Sequence, residues 1–287
     1  MSIRRPPTER QRRLGAELRK MRERVCLSLA EAAALHRTDK TTISNTESGR
    51  FGVSADGVRV WAGNYSCSDH EYVDALAEMA KERRAASRNW WDEYRDVLAA
   101  TALDLAEMEY CAVGLRGVQI THMPGMLQAE DYTRAVFQEA VPSLAPTDLD
   151  RKIDFRMKRR GVLELSQPPE YIFLVHEAAL RMRFGPNAVI KAQLGYLLEQ
   201  SERENVSIHV VPFAAGSYPS SGSSSTLYVQ GPVPQLDTVQ IDVPTGSTFL
   251  HSETRLVNYR TVVERMQLLA LGPRSSRDFV RSVMRQL

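Results

Sequence analysis

Lys40, Thr41, Ser44 and Asn45 are spaced so that one side of a short helix carries all four. Together they offer a cation, two hydroxyls and an amide, which is the chemistry that reads base edges in a DNA major groove. Asn bonds adenine bidentately, Lys donates to guanine, and Thr bonds an edge or touches a thymine methyl. Asp39 is a good N-cap for a helix over roughly 40–46, and Gly49 suits its C-terminal stop. Ile43, supported by Thr46 and Glu47, falls on the opposite side and is expected to face the body of the domain. On an arbitrary short helix such a polar face is merely solvated, so the elements that position it decide the reading.

Those elements are in order. Ser28, with Glu31 three residues on, forms the capping-box pattern that starts a preceding helix. Ala30, Ala32, Ala33 and Ala34 leave room for close approach of a neighbour, and the chain breaks at His36-Arg37-Thr38. The stretch 28–50 therefore reads as a helix, a tight break and a second helix. A longer helix from about Thr8 to Arg24 carries Leu14, Leu18, Met21 and Val25 at helical spacing, and Ser54 caps a helix whose Val58, Trp61 and Tyr65 read as core. The first dozen residues, with Pro6-Pro7 and several arginines, read as an arm able to follow a phosphate backbone.

With these residues in register, Leu14 to Tyr65 resembles the Cro and lambda-repressor (XRE) type of helix-turn-helix. The matches are Leu14, Gly15, Leu18, Arg19, Arg22, Ser28, Ala33, Thr42, Ile43, Ser44, Glu47 and Gly49. The resemblance implies base contacts from Lys40, Thr41 and Asn45 and a structural ion pair between Arg22 and Glu47. Backbone contacts are expected from Ser28, Arg37, Thr42, Ser44, Ser48 and Arg50 around the helix N-terminus, which phosphates favour. Three positions depart from the family pattern. Leu29 replaces a phosphate-contacting Gln, Thr38 replaces a Val, and Arg37 stands where the turn usually has Gly, so it must adopt left-handed geometry at some cost or avoid it.

Charge is distributed accordingly. Residues 1–60 hold thirteen basic and seven acidic groups, a local +6 in a chain whose net charge is +2, which leaves −4 for the remainder. A basic end on a slightly acidic body points to an anionic partner for the first domain. The 287 residues fit two domains, and the 43% hydrophobic and 25% charged content is that of an ordinary globular core. Three widely spaced cysteines, Cys26, Cys67 and Cys111, form no disulfide framework or finger pattern and suit a reducing compartment. With no signal peptide or membrane-spanning stretch visible, a cytoplasmic, nucleoid-associated location is expected.

From Ser68 a helical tract is expected through Arg84 and on past Trp90-Trp91 toward Met108. Its apolar stripe, Tyr72, Leu76 and Met79, suits either a dimer contact or packing within the chain, and the Trp pair suits an interdomain anchor better than base stacking. Beyond Tyr110, strands are predicted over 113–121, 171–175, 206–211, 226–230, 238–243 and 248–250, with helices over 129–140, 147–164, 186–203, 253–271 and 275–285. The Gly/Ser/Pro-dense stretch 214–225 reads as the loop. The fold class is α+β: an all-α helix-turn-helix domain (1–66), a helical connector (67–109) and a mixed or antiparallel α+β domain (110–287).

Residues 90–287 resemble the C-terminal domain of WhiJ-like actinobacterial regulators. The likeness rests on Pro124, Gly125, Leu127, Gln128 and Tyr132 in one motif and on Pro212, Phe213 and Gly216 in another. It implies a transcriptional regulator of development or secondary metabolism, or an antitoxin-like one, acting with a small acidic protein encoded nearby. The expected partners are double-stranded DNA, a second copy of the chain, that small protein and, as an alternative control, a small-molecule effector.

Catalytic chemistry finds little support. His176-Glu177 begins like a zinc-protease helix but lacks the second His, and Cys67 with His70 lacks a second ligand pair. The Ser-rich loop 220–225 holds neither a nucleophile elbow nor a phosphate-binding Gly-Lys-Ser. No enzyme activity, metal or cofactor is expected.

Overall fold

The computed structural model describes residues 6–82, 89–219, 224–243 and 246–287. The basic arm at Arg4 and Arg5, the extension of the tract to Arg84 and the centre of the Ser-rich loop lie outside them. Two compact units result, residues 1–92 and 93–287.

The first unit is all-helical: α1 (Glu9–Arg24), α2 (Leu29–Leu35), α3 (Lys40–Glu47), α4 (Ala55–Asn64) and α5 (His70–Glu82). Each of the first four starts on a hydroxyl or carboxylate cap, from Thr8, Ser28, Asp39 and Ser54. Three of the breaks between them close on a non-glycine residue in left-handed geometry: Cys26 (φ 56°), Arg37 (φ 52°) and Ser66 (φ 54°). Leu18, Ile43, Val58 and Leu76 are fully buried in this unit. Tyr72 and Leu76 of the apolar stripe are buried there as α5 packs on α4 and α1, and Met79 is half-buried, so packing within the chain takes up most of the stripe.

The tract expected to run on past the Trp pair does not. It is interrupted by a 3-10 turn at Trp90–Tyr94 and restarts as α6 (Ala100–Cys111), the Trp, Asp and Tyr of the turn being weak helix formers. Trp90 and Trp91 meet edge to face (5.6 Å, 85°) with Trp91 buried, which leaves no open double platform for bases.

The second unit is built on one six-stranded sheet: β1 (Gly114–Gln119), β2 (Glu170–His176), β3 (Val206–Val211), β4 (Ser225–Gln230), β5 (Thr238–Val243) and β6 (Gly246–Leu250). Their order is β3-β2-β1-β4-β5-β6, with β1, β2 and β3 parallel and β4, β5 and β6 antiparallel. The mixed α+β architecture is the expected one. Alternation sends Leu115, Phe173, Ile208 and Leu227 to one face, where α7 (Glu130–Gln138), α10 (Asn187–Gln200) and α12 (Pro273–Arg285) pack, with α8 (Pro146–Arg159) across a cavity from Phe173 and Leu227. Val118, Leu174 and Val239 go to the other face, against Leu256, Val263 and Met266 of α11 (Glu253–Leu269). The short α9 (Glu177–Arg181), which follows β2, begins where His176 Nδ1 accepts from the Ala178 N–H at 3.2 Å. That His thus serves as a helix cap.

Close approach in the first unit depends on two glycines. A Cβ at Gly15 would lie 2.5 Å from the Glu47 carbonyl oxygen, and one at Gly49 (φ 74°) 2.7 Å from that of Gln11. Gly15→Ala is therefore expected to push α1 from α3 and to destabilise the first unit by about 1–3 kcal/mol. A urea melt of the full chain followed by Trp fluorescence checks this, and an unchanged midpoint would refute the close contact.

Candidate nucleic-acid interface

The helix α3 is only eight residues long, too short to hold its shape alone. The Asp39 carboxylate accepts from the Thr42 N–H (2.8 Å) and also from the Thr42 hydroxyl (2.8 Å), which holds that carboxyl below its usual range. On its inner side Ile43, Thr46 and Glu47 are buried. Ahead of it, Ser28 and Glu31 close both halves of their capping box, at 3.3 and 2.8 Å. The turn between the helices takes the left-handed geometry at Arg37 rather than avoiding it, and the Thr38 N–H bonds the Ala33 carbonyl at 2.9 Å.

The expected ion pair is present and buried. Arg22 Nε and Nη2 donate to the two Glu47 carboxylate oxygens at 2.6 and 2.9 Å, and Nη1 donates to the Leu27 carbonyl at 2.7 Å. The pair ties α1 to the C-terminal end of α3 and to the entry of α2 at once, and the Glu47 hydrogen bonds raise the guanidinium pKa further. His36, where α2 ends, stacks on Trp61 of α4 (4.4 Å, 27°), and Asn64 lies 3.3 Å from its Nδ1. The sequence reading did not single out His36.

On the outer side Lys40, Thr41 and Ser44 are exposed and Asn45 is half-buried. Among the described residues, the side chains of Lys40, Thr41 and Asn45 form no hydrogen bond or ion pair with the rest of the chain. Of the expected backbone-contact residues, Ser28, Arg37, Ser48 and Arg50 are exposed and Thr42 is half-buried. The hydroxyls of Ser28, Thr42 and Ser48 already serve local bonds, Ser48 donating to the Asn45 carbonyl at 3.1 Å.

The cations sort into two groups. Arg13, Arg19, Arg22 and Arg59 are paired with Glu17, Glu23, Glu47 and Asp74. Arg24, Arg37, Lys40 and Arg50 are exposed and, among the described residues, in no ion pair. The last three stand at the two ends of α3. Positive potential is thus left where a duplex would meet the helix.

In the second unit the family-motif residues mostly build the interior. Leu127, Gln128 and Tyr132 are buried, and the Met123 N–H donates to the Tyr132 hydroxyl at 3.3 Å. Gln193 Nε2 donates to the Leu127 carbonyl at 2.7 Å. Pro124 precedes a 3-10 turn at Gly125–Leu127. Pro212 precedes another turn, whose Phe213 N–H bonds the Glu177 carboxylate at 2.8 Å and which ends on Gly216 (φ 77°).

This arrangement, a capped two-helix turn clamped on a third helix with a polar cationic face outward, defines a DNA-binding domain of the helix-turn-helix class. Residues 13–70 match the family model described as a helix-turn-helix domain. Residues 102–282, more than half of the chain, match the model described as a domain of unknown function (DUF5753), and the chain belongs to that family. No curated protein and no solved structure matches the chain. Among the described residues no helix is long and apolar enough to cross a membrane.

Two expectations follow. Glu47→Ala leaves Arg22 buried without its partner and is expected to cost about 3–5 kcal/mol, whereas Arg22→Met with Glu47→Leu is expected to recover most of it. Equal losses in the single and double variants by urea titration would contradict this. Burial lowers the His36 pKa from 6.5, so below that pH the unfolded chain binds the proton more readily. The stability of the first unit should hold above pH 6.5 and decline below it, and His36→Gln should flatten the decline. Thermal melts between pH 5 and 8 read both.

Proposed function

We propose that the protein is a sequence-specific transcriptional regulator that binds DNA as a dimer, with Lys40, Thr41 and Asn45 of α3 reading bases. Ser28, Arg37, Thr42, Ser44, Ser48 and Arg50 contact the phosphodiester backbone in this reading. The observation that carries it is the uncommitted outer face of α3 with Arg37, Lys40 and Arg50 at its ends. In a dimer two such helices reach half-sites about one helical turn, roughly 34 Å, apart. The XRE assignment and the WhiJ-like role in development or secondary metabolism, antitoxin-like control included, rest on the sequence resemblance. So does control through residues 110–287 by a small acidic protein encoded nearby. A cytoplasmic, nucleoid-associated, non-catalytic role without metal or cofactor completes the proposal.

A second reading, control by a small-molecule effector, is favoured by a cavity in the second unit.

Fluorescence polarisation of the full chain on its own upstream region tests the main reading. Lys40→Ala and Asn45→Ala are each expected to cost about 1–3 kcal/mol on the cognate site and little on unrelated DNA. Arg50→Ala should weaken all sequences alike and lower the salt slope by about 1. Arg37→Gly should lower the slope similarly while holding or raising stability by up to about 1 kcal/mol, because Gly takes the left-handed turn without the Cβ penalty. Indifference of cognate binding to Lys40→Ala and Asn45→Ala would overturn the assignment of α3.

A further inference from the structure

We propose that the cavity between α6, α8 and the β1-β4-β5 face of the second unit binds a small organic anion with an apolar body, held by Arg156. This goes beyond DNA recognition and gives a ligand class to the effector reading.

The cavity is about 510 Å³, within the range of small-molecule sites, roughly 300–1,000 Å³. Ala102, Leu105, Phe137, Phe155 and Leu227 supply apolar lining. Against them stands an unusual stripe on α8. Lys152, Arg156 and Arg159 follow one another at four and three residues, on the helix face that lines the cavity and where apolar side chains are the norm.

The three cations are treated differently. Arg159 is neutralised by a buried bidentate pair with Glu109 of α6. Arg156 has no such partner: its contacts are the Gln128 side-chain oxygen at 2.9 Å and the Phe137 ring at 5.0 Å. Among the described residues no carboxylate lies within 4.0 Å of Arg156 or Lys152. Asp242, the other acid of the lining, receives hydrogen bonds from Gln240 Nε2 (2.6 Å) and the Ser247 hydroxyl (3.2 Å). With Glu109 spent on Arg159, Lys152 and Arg156 face a single further carboxylate, Asp242, which acts on Arg156 only from beyond 4.0 Å, so the lining keeps one net positive charge. Burial, followed by repulsion from Arg159, pushes the Arg156 pKa down to about 9 against the opposing pull of Glu109 and Asp242.

Half-burying a guanidinium with no close carboxylate is costly, and an anion is the chemistry that relieves it. The chain also holds this side chain in place. Gln128 bonds it, and a Cβ at Gly125 would lie 2.8 Å from its Nη1. Gln119 adds an independent sign. It is 7% exposed, its amide nitrogen donates to the Ser225 hydroxyl at 2.9 Å, and its carbonyl oxygen is buried with no partner. Turning the amide over exchanges an orphaned acceptor for an orphaned donor, so in either orientation a buried polar group behind the cavity wall lacks a partner, and only a rotation of the side chain would present it to an occupant.

The test uses the full chain and a matched pair of probes, 2-naphthoate and its neutral counterpart 2-naphthamide, by isothermal titration. Saturable 1:1 binding of the naphthoate, at least tenfold tighter than the amide, is expected. Arg156→Gln should weaken naphthoate binding at least tenfold, and Ala102→Phe, which adds bulk to the apolar lining and leaves all three cations in the chain, should abolish it. Absence of saturable naphthoate binding, equal affinity for the amide, or saturable binding indifferent to both substitutions would overturn the proposal. The probe comparison needs no variant, so a failure of Arg156→Gln to fold leaves the proposal testable. Lys40→Ala, which should impair DNA binding and leave naphthoate binding unchanged, separates a failure of this site from a failure of the DNA-binding reading.

Discussion

The first unit depends on how a helix of eight residues is held with half its surface given over to polar side chains. Such a helix buries little of its own, so its position comes from α1. The Arg22–Glu47 pair locks the C-terminal turn of α3 by two charge-assisted hydrogen bonds in a planar fork, which fixes orientation as well as distance. Gly15 and Gly49 allow backbone to meet backbone where any Cβ would intervene. A buried ion pair adds little net stability over an apolar pair of the same shape, so its value here is geometric. It holds one register of α3 on α1, and that register decides which four side chains face outward.

In the second unit the same logic works through neutral groups. Gln128 and Gln193 are buried amides whose bonds to Met123, Leu127 and Ala129 join the turn after β1 to α7 and α10. Tyr132 seals the cluster by packing edge-on against Phe184. Ser276 does comparable work at the sheet edge, accepting from the Val210 N–H on β3 at 2.9 Å. An exposed strand edge invites pairing with other chains, and this contact covers part of it.

What was legible in the sequence was what local rules determine. The caps at Ser28, Asp39 and Ser54 were readable because one side chain and a backbone N–H three residues on suffice. β3 and β5 were readable to the residue because short β-branched runs end at turn formers. The break at Trp90–Tyr94 was missed because helical spacing of apolar residues continues across it while propensity does not. The strand order, with three parallel strands joined to three antiparallel ones, was out of reach, since pairing is settled by long-range packing. Arg156 was hidden for a related reason. On the sequence it is one of several cations in a basic helix, and only the fold shows that Arg159 has a carboxylate and Arg156 has none. The spacing of Lys152, Arg156 and Arg159 on one helical face was the available signal.

The two units place uncompensated positive charge in opposite settings. Around α3 the free cations stand in water, where the absence of a partner costs almost nothing and a polyanion can recruit them by releasing its counterions. At Arg156 the cation is half-buried beside Phe137 and Gly125 with no carboxylate within 4.0 Å, where the lack of a close counterion is a cost that packing of the unit has to offset. An occupant that binds the folded cavity stabilises the second unit by an amount growing with its concentration, about 2.7 kcal/mol at a hundred times its dissociation constant. In the proposed site the arginine would thereby make the stability of the second unit depend on a solute, a dependence that a methionine of similar reach would not create.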